Sequence, residues 1–217
     1  MNMLMKWYAA GVGLILVMSG CQQAPSSSAP RERTLENVQF PIADFQLTER
    51  SGTIIRNRDL KGKVWIASFI FSRCTGPCPQ ITRTMEILQK DFAQELQGDL
   101  RLVTFTVDPE RDNPQELTAY AEHFHADPVR WLFLTGEEKT IRDLLQNSFK
   151  VAAERNEKSL KKGDEFNHST LLALVDKKGI VRGYYAGISD PTRPDDGKEF
   201  EASLQRLRVA VHKLLLE

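Results

Sequence analysis

The sequence predicts an α/β domain over residues 40–217, with a mixed, mostly parallel central sheet flanked by helices. Residues 64–71, VWIASFIF, form a nearly continuous apolar run, which is typical of a strand buried on both faces. Residues 79–96 then place apolar side chains at helical spacing, and the alternation continues to an amphipathic helix at 197–217. With 217 residues, 41% hydrophobic and 27% charged, the chain has the composition of a single globular domain.

Two hairpins are predicted in this domain. Residues 45–56, FQLTERSGTIIR, indicate an N-terminal hairpin that turns at Ser51-Gly52. LLALVD at 171–176 and IVRGYY at 180–185 flank Lys177-Lys178-Gly179, and this pattern indicates a hairpin of the penultimate and last strands.

Strands are also predicted at 100–108 and 130–136. Between them, Asn113-Pro114 predicts the start of a helix, because proline is favoured at the first helical position. Thr135-x-x-Glu138 has the pattern of a capping box and predicts the start of the following helix. Residues 153–165 are charged and lack periodicity, so we expect an exposed insertion before the penultimate strand.

The N-terminus has the pattern of an exported, membrane-tethered protein. One lysine precedes an apolar run at 7–18, which is shorter than the roughly 20 residues of a spanning helix. Met-Ser-Gly-Cys at 18–21 resembles a bacterial lipobox, which implies cleavage before Cys21 and lipidation of its thiol; an uncleaved anchor is the alternative. We therefore predict a signal peptide at 1–20, a lipidated cysteine with a flexible tether at 21–39, and a domain facing the periplasm or cell exterior.

The charge balance favours no particular partner. The 29 basic and 29 acidic residues give a formal net charge of zero. Nucleic-acid-binding proteins usually present a basic field, so we expect no nucleic-acid partner.

Function therefore depends on the cysteine pair Cys74 and Cys78, which follows the first long central strand at the start of a helix. That placement is the arrangement of the thioredoxin fold. Residues four apart share a helix face and lie within disulfide reach. A helix N-terminus favours thiolate over thiol, so we expect a reactive pair.

Three interpretations of the pair compete. A structural disulfide would close a loop too short to restrict the unfolded chain much. A dithiol catalyst more usually has two intervening residues, where this pair has Thr-Gly-Pro. Metal binding is favoured by a third donor, because two thiolates with one histidine make a trigonal site suited to copper.

His168 is the candidate third donor. In a thioredoxin-like sheet, the loop that enters the penultimate strand lies beside the cysteine helix and usually carries a cis-proline. Asn167-His168-Ser169 stands there in this chain and contains no proline. His123 and His125, two apart at a helix end, face different directions and are interpreted as solvated, and His212 as a surface residue.

Three motifs together resemble the Sco/SenC family of copper chaperones: Cys-Thr-Gly-Pro-Cys-Pro at 74–79, Val-Asp-Pro-Glu-Arg-Asp-Asn-Pro at 107–114, and the His168-Ser169 loop. The resemblance covers nearly all of residues 40–217. It implies a thioredoxin fold and copper, as Cu(I) or Cu(II), held by Cys74, Cys78 and His168. It also implies a role in assembling the binuclear copper centre of cytochrome c oxidase, whose copper-receiving subunit is then the partner.

Asp108 matches the Asp-Pro position of that family, at the end of its strand. Its simplest role is to cap the turn ahead of Pro109. The alternative is that it supports the copper ligands or docks the partner, because sites of such folds lie at this rim.

Two functions stay open. A metallochaperone, which is not an enzyme, would pass copper on by ligand exchange, one donor at a time. An exported thiol–disulfide oxidoreductase would attack a partner disulfide with one thiolate and resolve it with the other, leaving a 74–78 disulfide. His168 separates the two functions, because ligand exchange needs it and thiol exchange does not.

Overall fold

The computed structural model describes residues 35–217 except 152, 156–165, 191, 193 and 194; for 153–155, 167 and 168 it describes the backbone only. The predicted signal peptide at 1–20, the predicted lipidation site Cys21 and the segment 22–34 lie outside the described residues. None of the helices described is long and apolar enough to span a membrane.

The described chain forms ten strands and four α-helices. The strands are β1 (Leu35–Pro41), β2 (Gln46–Glu49), β3 (Ile54–Arg56), β4 (Val64–Ile70), β5 (Leu100–Thr106), β6 (Trp131–Thr135), β7 (Ala153–Arg155), β8 (Phe166–His168), β9 (Leu171–Val175) and β10 (Ile180–Ala186). The helices are α1 (Cys78–Asp91), α2 (Pro114–His123), α3 (Glu138–Asp143) and α4 (Asp196–Leu216). A π turn at Leu144–Ser148 extends α3.

Eight strands form one sheet in the order β1-β10-β9-β4-β5-β6-β2-β3, and β7 pairs with β8 in a separate antiparallel ribbon. The mixed sheet flanked by helices is confirmed, as are both hairpins. The expectation of mostly parallel pairing holds only at the centre, where β4, β5 and β6 run parallel. The other five pairs of this sheet are antiparallel. In two of them a short turn joins the strands, β2 to β3 and β9 to β10, and such a turn requires antiparallel pairing.

Three local predictions differ from the structure. The sheet begins at β1, before the predicted domain start at residue 40. Thr135 ends β6 and cannot cap α3, whose N-cap is Glu137 with no side-chain capping bond. In the predicted insertion, 153–155 form β7, and 156–165 lie outside the described residues. By contrast, the Asn113 side chain caps α2 as predicted, accepting a hydrogen bond from the Glu116 N–H at 3.0 Å.

Helices cover both faces of the central strands. Phe69 and Phe105 pack on the ring of Phe149, which follows α3, with centroids 5.0 and 5.4 Å apart. Phe133 faces the other way, as the β5–β6 register shows, and its ring contacts Tyr120 of α2. Every residue of β4 is buried, as the continuous apolar run predicts.

Helix α1, which begins at Cys78, is fixed by its neighbours on either side. The Thr82 hydroxyl is hydrogen-bonded to the Tyr120 hydroxyl of α2 at 2.8 Å. Farther along, the Arg208 guanidinium of α4 donates to Asp91 at 2.7 Å. These contacts hold the helix, and with it the second cysteine, at a set position on the sheet.

A close backbone approach ties α1 to the loop after β8. The Gly187 N–H donates to the Thr170 carbonyl at 3.0 Å, and the Thr84 hydroxyl of α1 donates to the Gly187 carbonyl at 2.8 Å. A Cβ on Gly187 would lie 2.4 Å from the Thr170 carbonyl oxygen, so a side chain there must displace backbone.

We predict that Gly187→Ala lowers the free energy of unfolding by about 1–3 kcal/mol, because the added methyl group overpacks a backbone contact. The measurement is the midpoint of urea unfolding. Gly197→Ala is the matched control, since nothing lies within 4 Å of a Cβ at this helical position. Equal midpoints for Gly187→Ala and wild type would contradict the close approach.

Candidate dithiol and metal site

The two cysteines lie at the carboxyl end of β4, one in the loop and one in the first turn of α1. Both are free thiols; Cys74 is 7% exposed and Cys78 fully buried. The Phe71 N–H donates to the Cys78 sulfur at 3.4 Å, and the Phe71 carbonyl accepts from the Cys74 N–H at 3.2 Å. The two thiols are close enough to interact, because Cys74 contributes to raising the pKa of Cys78. The loop thus folds back so that one residue, Phe71, fixes both cysteines.

Prolines allow the helix to begin at this point. Pro77 is the N-cap residue and Pro79 follows within the first turn. Proline lacks an N–H, and the first N–H groups of a helix have no partner within the helix. Cys78 therefore enters the helix at its first position without loss of a backbone hydrogen bond.

The expected lowering of the thiol pKa at this helix end is wrong for Cys78. Burial raises its pKa most; the hydrogen bond to Cys74, the charge of Cys74 and the charge of Asp112 raise it further. A helix N-terminus contributes about 0.3–2 kcal/mol. Full burial shifts a pKa by up to about 3–5 units, and each unit corresponds to about 1.4 kcal/mol. Burial therefore dominates, and Cys78 is a protonated thiol at neutral pH in the metal-free protein.

Asp112 belongs to this site, although the sequence patterns did not point to it. Its carboxylate is 1% exposed and accepts hydrogen bonds from Ser72 and Thr106. Tyr120 is a second neighbour that was missed. Burial raises its pKa, and the charges of Cys78, Cys74 and Asp112 add to this effect. The only signal in the sequence is that Asp112 stands in the same acidic motif as Asp108.

Asp108 closes the turn that follows β5. Its carbonyl accepts from the N–H groups of Arg111 and Asp112 at 3.1 and 2.9 Å. Its carboxylate, buried to 2% exposure, pairs with the Arg111 guanidinium at 3.2 Å. The turn is therefore closed by the backbone carbonyl of Asp108, and a role of its carboxylate in supporting the copper ligands or docking a partner stays a prediction.

His168 is the last residue of β8, and its backbone pairs with that of Ala153. Phe166 of the same strand packs on Phe71, with ring centroids 5.3 Å apart. Because the Phe71 N–H contacts the Cys78 sulfur, the strand that carries His168 is anchored beside the dithiol. The described side chains, which do not include that of His168, form no group of three metal-binding residues.

The other histidines are at the surface, as predicted. His123 and His125 are both exposed, and His125 lies 3.4 Å from the carboxylate of Glu86. His212 pairs with Glu95 at 3.0 Å. None of these contacts connects a histidine to the cysteine loop.

Fold and site together define a class: a thioredoxin-like domain with a buried pair of free cysteines at the start of the helix that follows a central strand. A family model described as SCO1/SenC matches residues 34–195. The chain belongs to the SCO1/SenC family, and the resemblance seen in the three motifs is thereby confirmed.

Three solved structures are similar to this chain. A SCO1/SenC family lipoprotein from Bacillus anthracis str. Ames is 31% identical, with TM-score 0.64 and coverage of 82% of this chain and 98% of that one. BsSco, a member of the Sco family of cytochrome c oxidase assembly proteins with a disulfide switch, is 29% identical, with TM-score 0.65 and coverage of 81% and 95%. Yeast Sco1 with copper bound shares the fold at 22% identity and TM-score 0.59, with coverage of 78% and 89%.

We predict that iodoacetamide at pH 7 modifies Cys78 more slowly in the folded protein than in urea, because the thiolate is the reactive form and burial raises the thiol pKa. Peptide mass spectrometry over time measures the two rates. Cys74, which is slightly exposed, serves as the internal comparison and should react first. Faster modification of Cys78 in the folded protein would contradict the pKa direction.

Proposed function

We propose that this protein is a membrane-tethered copper chaperone that holds copper through Cys74, Cys78 and His168 and delivers it to the copper-receiving subunit of cytochrome c oxidase. The observation that carries the proposal is the buried, adjacent pair of free thiols against which the strand of His168 is anchored. Copper is the cargo of this protein, not a resident cofactor.

The donor set suits copper. Thiolates are soft ligands that select Cu(I), and imidazole binds copper in either oxidation state. Phe166, two residues before His168 on β8, contacts Phe71, the residue that hydrogen-bonds Cys78. This contact supports His168 as the third donor, because it brings its strand beside the cysteine loop.

Copper binding must displace a proton from Cys78, because this thiol is protonated at neutral pH. Transfer then follows by ligand exchange, in which a cysteine or histidine of the acceptor replaces one donor at a time. Cys74 is the more accessible of the two thiols, so we propose that exchange begins there.

The role in oxidase assembly and the lipid anchor are supported by family membership. BsSco is described as a cytochrome c oxidase assembly protein, and yeast Sco1 is known with copper bound. The relative from Bacillus anthracis is a lipoprotein. We extend these properties to this chain, with Cys21 as the lipidated residue and the domain exported.

A thiol–disulfide reductant is the second candidate, and the pair of neighbouring free thiols favours it. The Cys74 thiolate would attack a partner disulfide and form a mixed disulfide. Cys78 would then attack the Cys74 sulfur, which releases the partner as a dithiol and leaves a 74–78 disulfide. Two electrons pass to the partner. BsSco, described with a disulfide switch, is consistent with this chemistry.

We predict that the reduced full-length protein in detergent retains about one copper per chain after desalting, and that His168→Ala weakens copper binding by about tenfold or more. Elemental analysis and chelator competition measure the two quantities. His123→Ala is the control, because this histidine is exposed on another element. A wild type that holds no copper, or His168→Ala that binds as tightly, would eliminate the site proposed above.

We predict that His168→Ala reduces a disulfide-bonded test peptide at the wild-type rate, whereas Cys74→Ser does not reduce it, because thiol exchange needs no imidazole. Maleimide labelling of the released peptide thiols gives the rate. No reduction by the wild type would exclude the reductant role. A large loss in His168→Ala would show that the histidine takes part in thiol chemistry as well.

A further inference from the structure

Asp112 is a buried carboxylate at the base of the cysteine loop. It accepts the Ser72 N–H at 3.0 Å, the Ser72 hydroxyl at 2.5 Å and the Thr106 hydroxyl at 2.6 Å. Among the described residues it forms no ion pair, and all three donors are neutral groups. A buried carboxylate is energetically unfavourable unless it is well hydrogen-bonded. Its presence next to the thiols therefore suggests a task for it there.

These hydrogen bonds join the ends of the two central parallel strands. Thr106 ends β5 and is the register partner of Ile70, which ends β4. Ser72 lies two residues beyond Ile70, on the loop that leads to Cys74. The carboxylate thus connects the end of β5 to the point where the cysteine loop leaves β4.

The same network secures Asp112 itself. Its N–H donates to the Asp108 carbonyl at 2.9 Å, and the Thr106 hydroxyl accepts from the Asp108 N–H at 2.9 Å. These hydrogen bonds lie within the turn after β5, so Asp112 is held in place independently of its contacts with the cysteine loop. A rigid group of this kind can hold a flexible one at a defined position.

We propose that Asp112 is a positioning residue: through Ser72 it fixes the start of the cysteine loop, so that the sulfurs of Cys74 and Cys78 stay close enough to bind one metal ion or to form one disulfide. The inference rests on the proposed function, in which Cys74 and Cys78 bind copper or exchange a disulfide. It assigns Asp112 a role that acts through Ser72 and not as a copper ligand.

The negative charge of Asp112 should weaken Cu(I) binding, whereas its positioning of the loop should strengthen it. Because the two effects have opposite signs, the proposal can be tested. Cu(I) with two thiolates and a neutral histidine carries a net negative charge, and a nearby carboxylate repels it. If charge alone mattered, Asp112→Asn would bind Cu(I) more tightly. If positioning dominates, Asp112→Asn binds Cu(I) more weakly, and so does Ser72→Ala, which keeps the charge.

The experiment compares the full-length wild type, Asp112→Asn and Ser72→Ala in detergent. Ser68→Ala is the matched control, because it removes a buried serine hydroxyl from β4, hydrogen-bonded to Thr104 at 2.8 Å, without touching the loop. The first readout is Cu(I) affinity by competition with a chromophoric chelator. The second is the equilibrium with glutathione disulfide, which oxidises the two thiols to a 74–78 disulfide and yields two molecules of reduced glutathione.

We expect Asp112→Asn to weaken Cu(I) binding by about tenfold or more, Ser72→Ala to weaken it several-fold, and Ser68→Ala to leave it unchanged. The 74–78 disulfide should become less favoured in the same order. If wild type binds no Cu(I), the proposed function fails, but the glutathione equilibrium still decides the role of Asp112. If Asp112→Asn does not fold, Ser72→Ala decides.

Three results would overturn the proposal. Tighter Cu(I) binding by Asp112→Asn with no change in Ser72→Ala would assign the effect to charge. Lower unfolding midpoints with unchanged affinity and unchanged glutathione equilibrium would leave a role in folding only. If Ser68→Ala lost as much Cu(I) affinity as Ser72→Ala, the loss would not be specific to the hydrogen bonds between Ser72 and Asp112.

Discussion

The hydrogen bond from the Phe71 N–H to the sulfur of Cys78 is the contact on which the site depends. It forms where the fully buried strand β4 ends, and it requires the chain to fold back over Cys74 before α1 begins. The same residue accepts the Cys74 N–H and packs its ring on Phe166. A single position thus connects the central strand, both thiols and the strand that carries His168.

Burial gives this site its chemical character. In many thiol enzymes a helix N-terminus keeps a cysteine ionised, but the low exposure of Cys78 outweighs that effect here. A protonated, buried thiol is a poor nucleophile, yet it becomes a strong ligand once a metal displaces its proton. In the metal-free site Cys78 is therefore better suited to bind a metal, once its proton is displaced, than to attack a disulfide.

Much of the fold could be predicted because the central strand is uniformly apolar and the cysteine pair follows it directly. Features that depend on contacts between distant parts of the chain could not be predicted from the sequence. Asp112 contacts Ser72 and Thr106, which meet only after β4 and β5 pair. β1 was missed because most of its residues are exposed, so it lacks a clear apolar alternation. Thr135 matched a helix-start pattern, but it is the last residue of a strand.

The pairing of β1 decides at which end the described chain enters the sheet. β1 is antiparallel to β10, β10 to β9, and β9 to β4, so β1 runs opposite to β4. The chain consequently enters the sheet from the end at which β4 releases the cysteine loop. Leu35, the first residue of β1, and the cysteine loop therefore lie at the same end of the sheet, although three strand pairings separate β1 from β4.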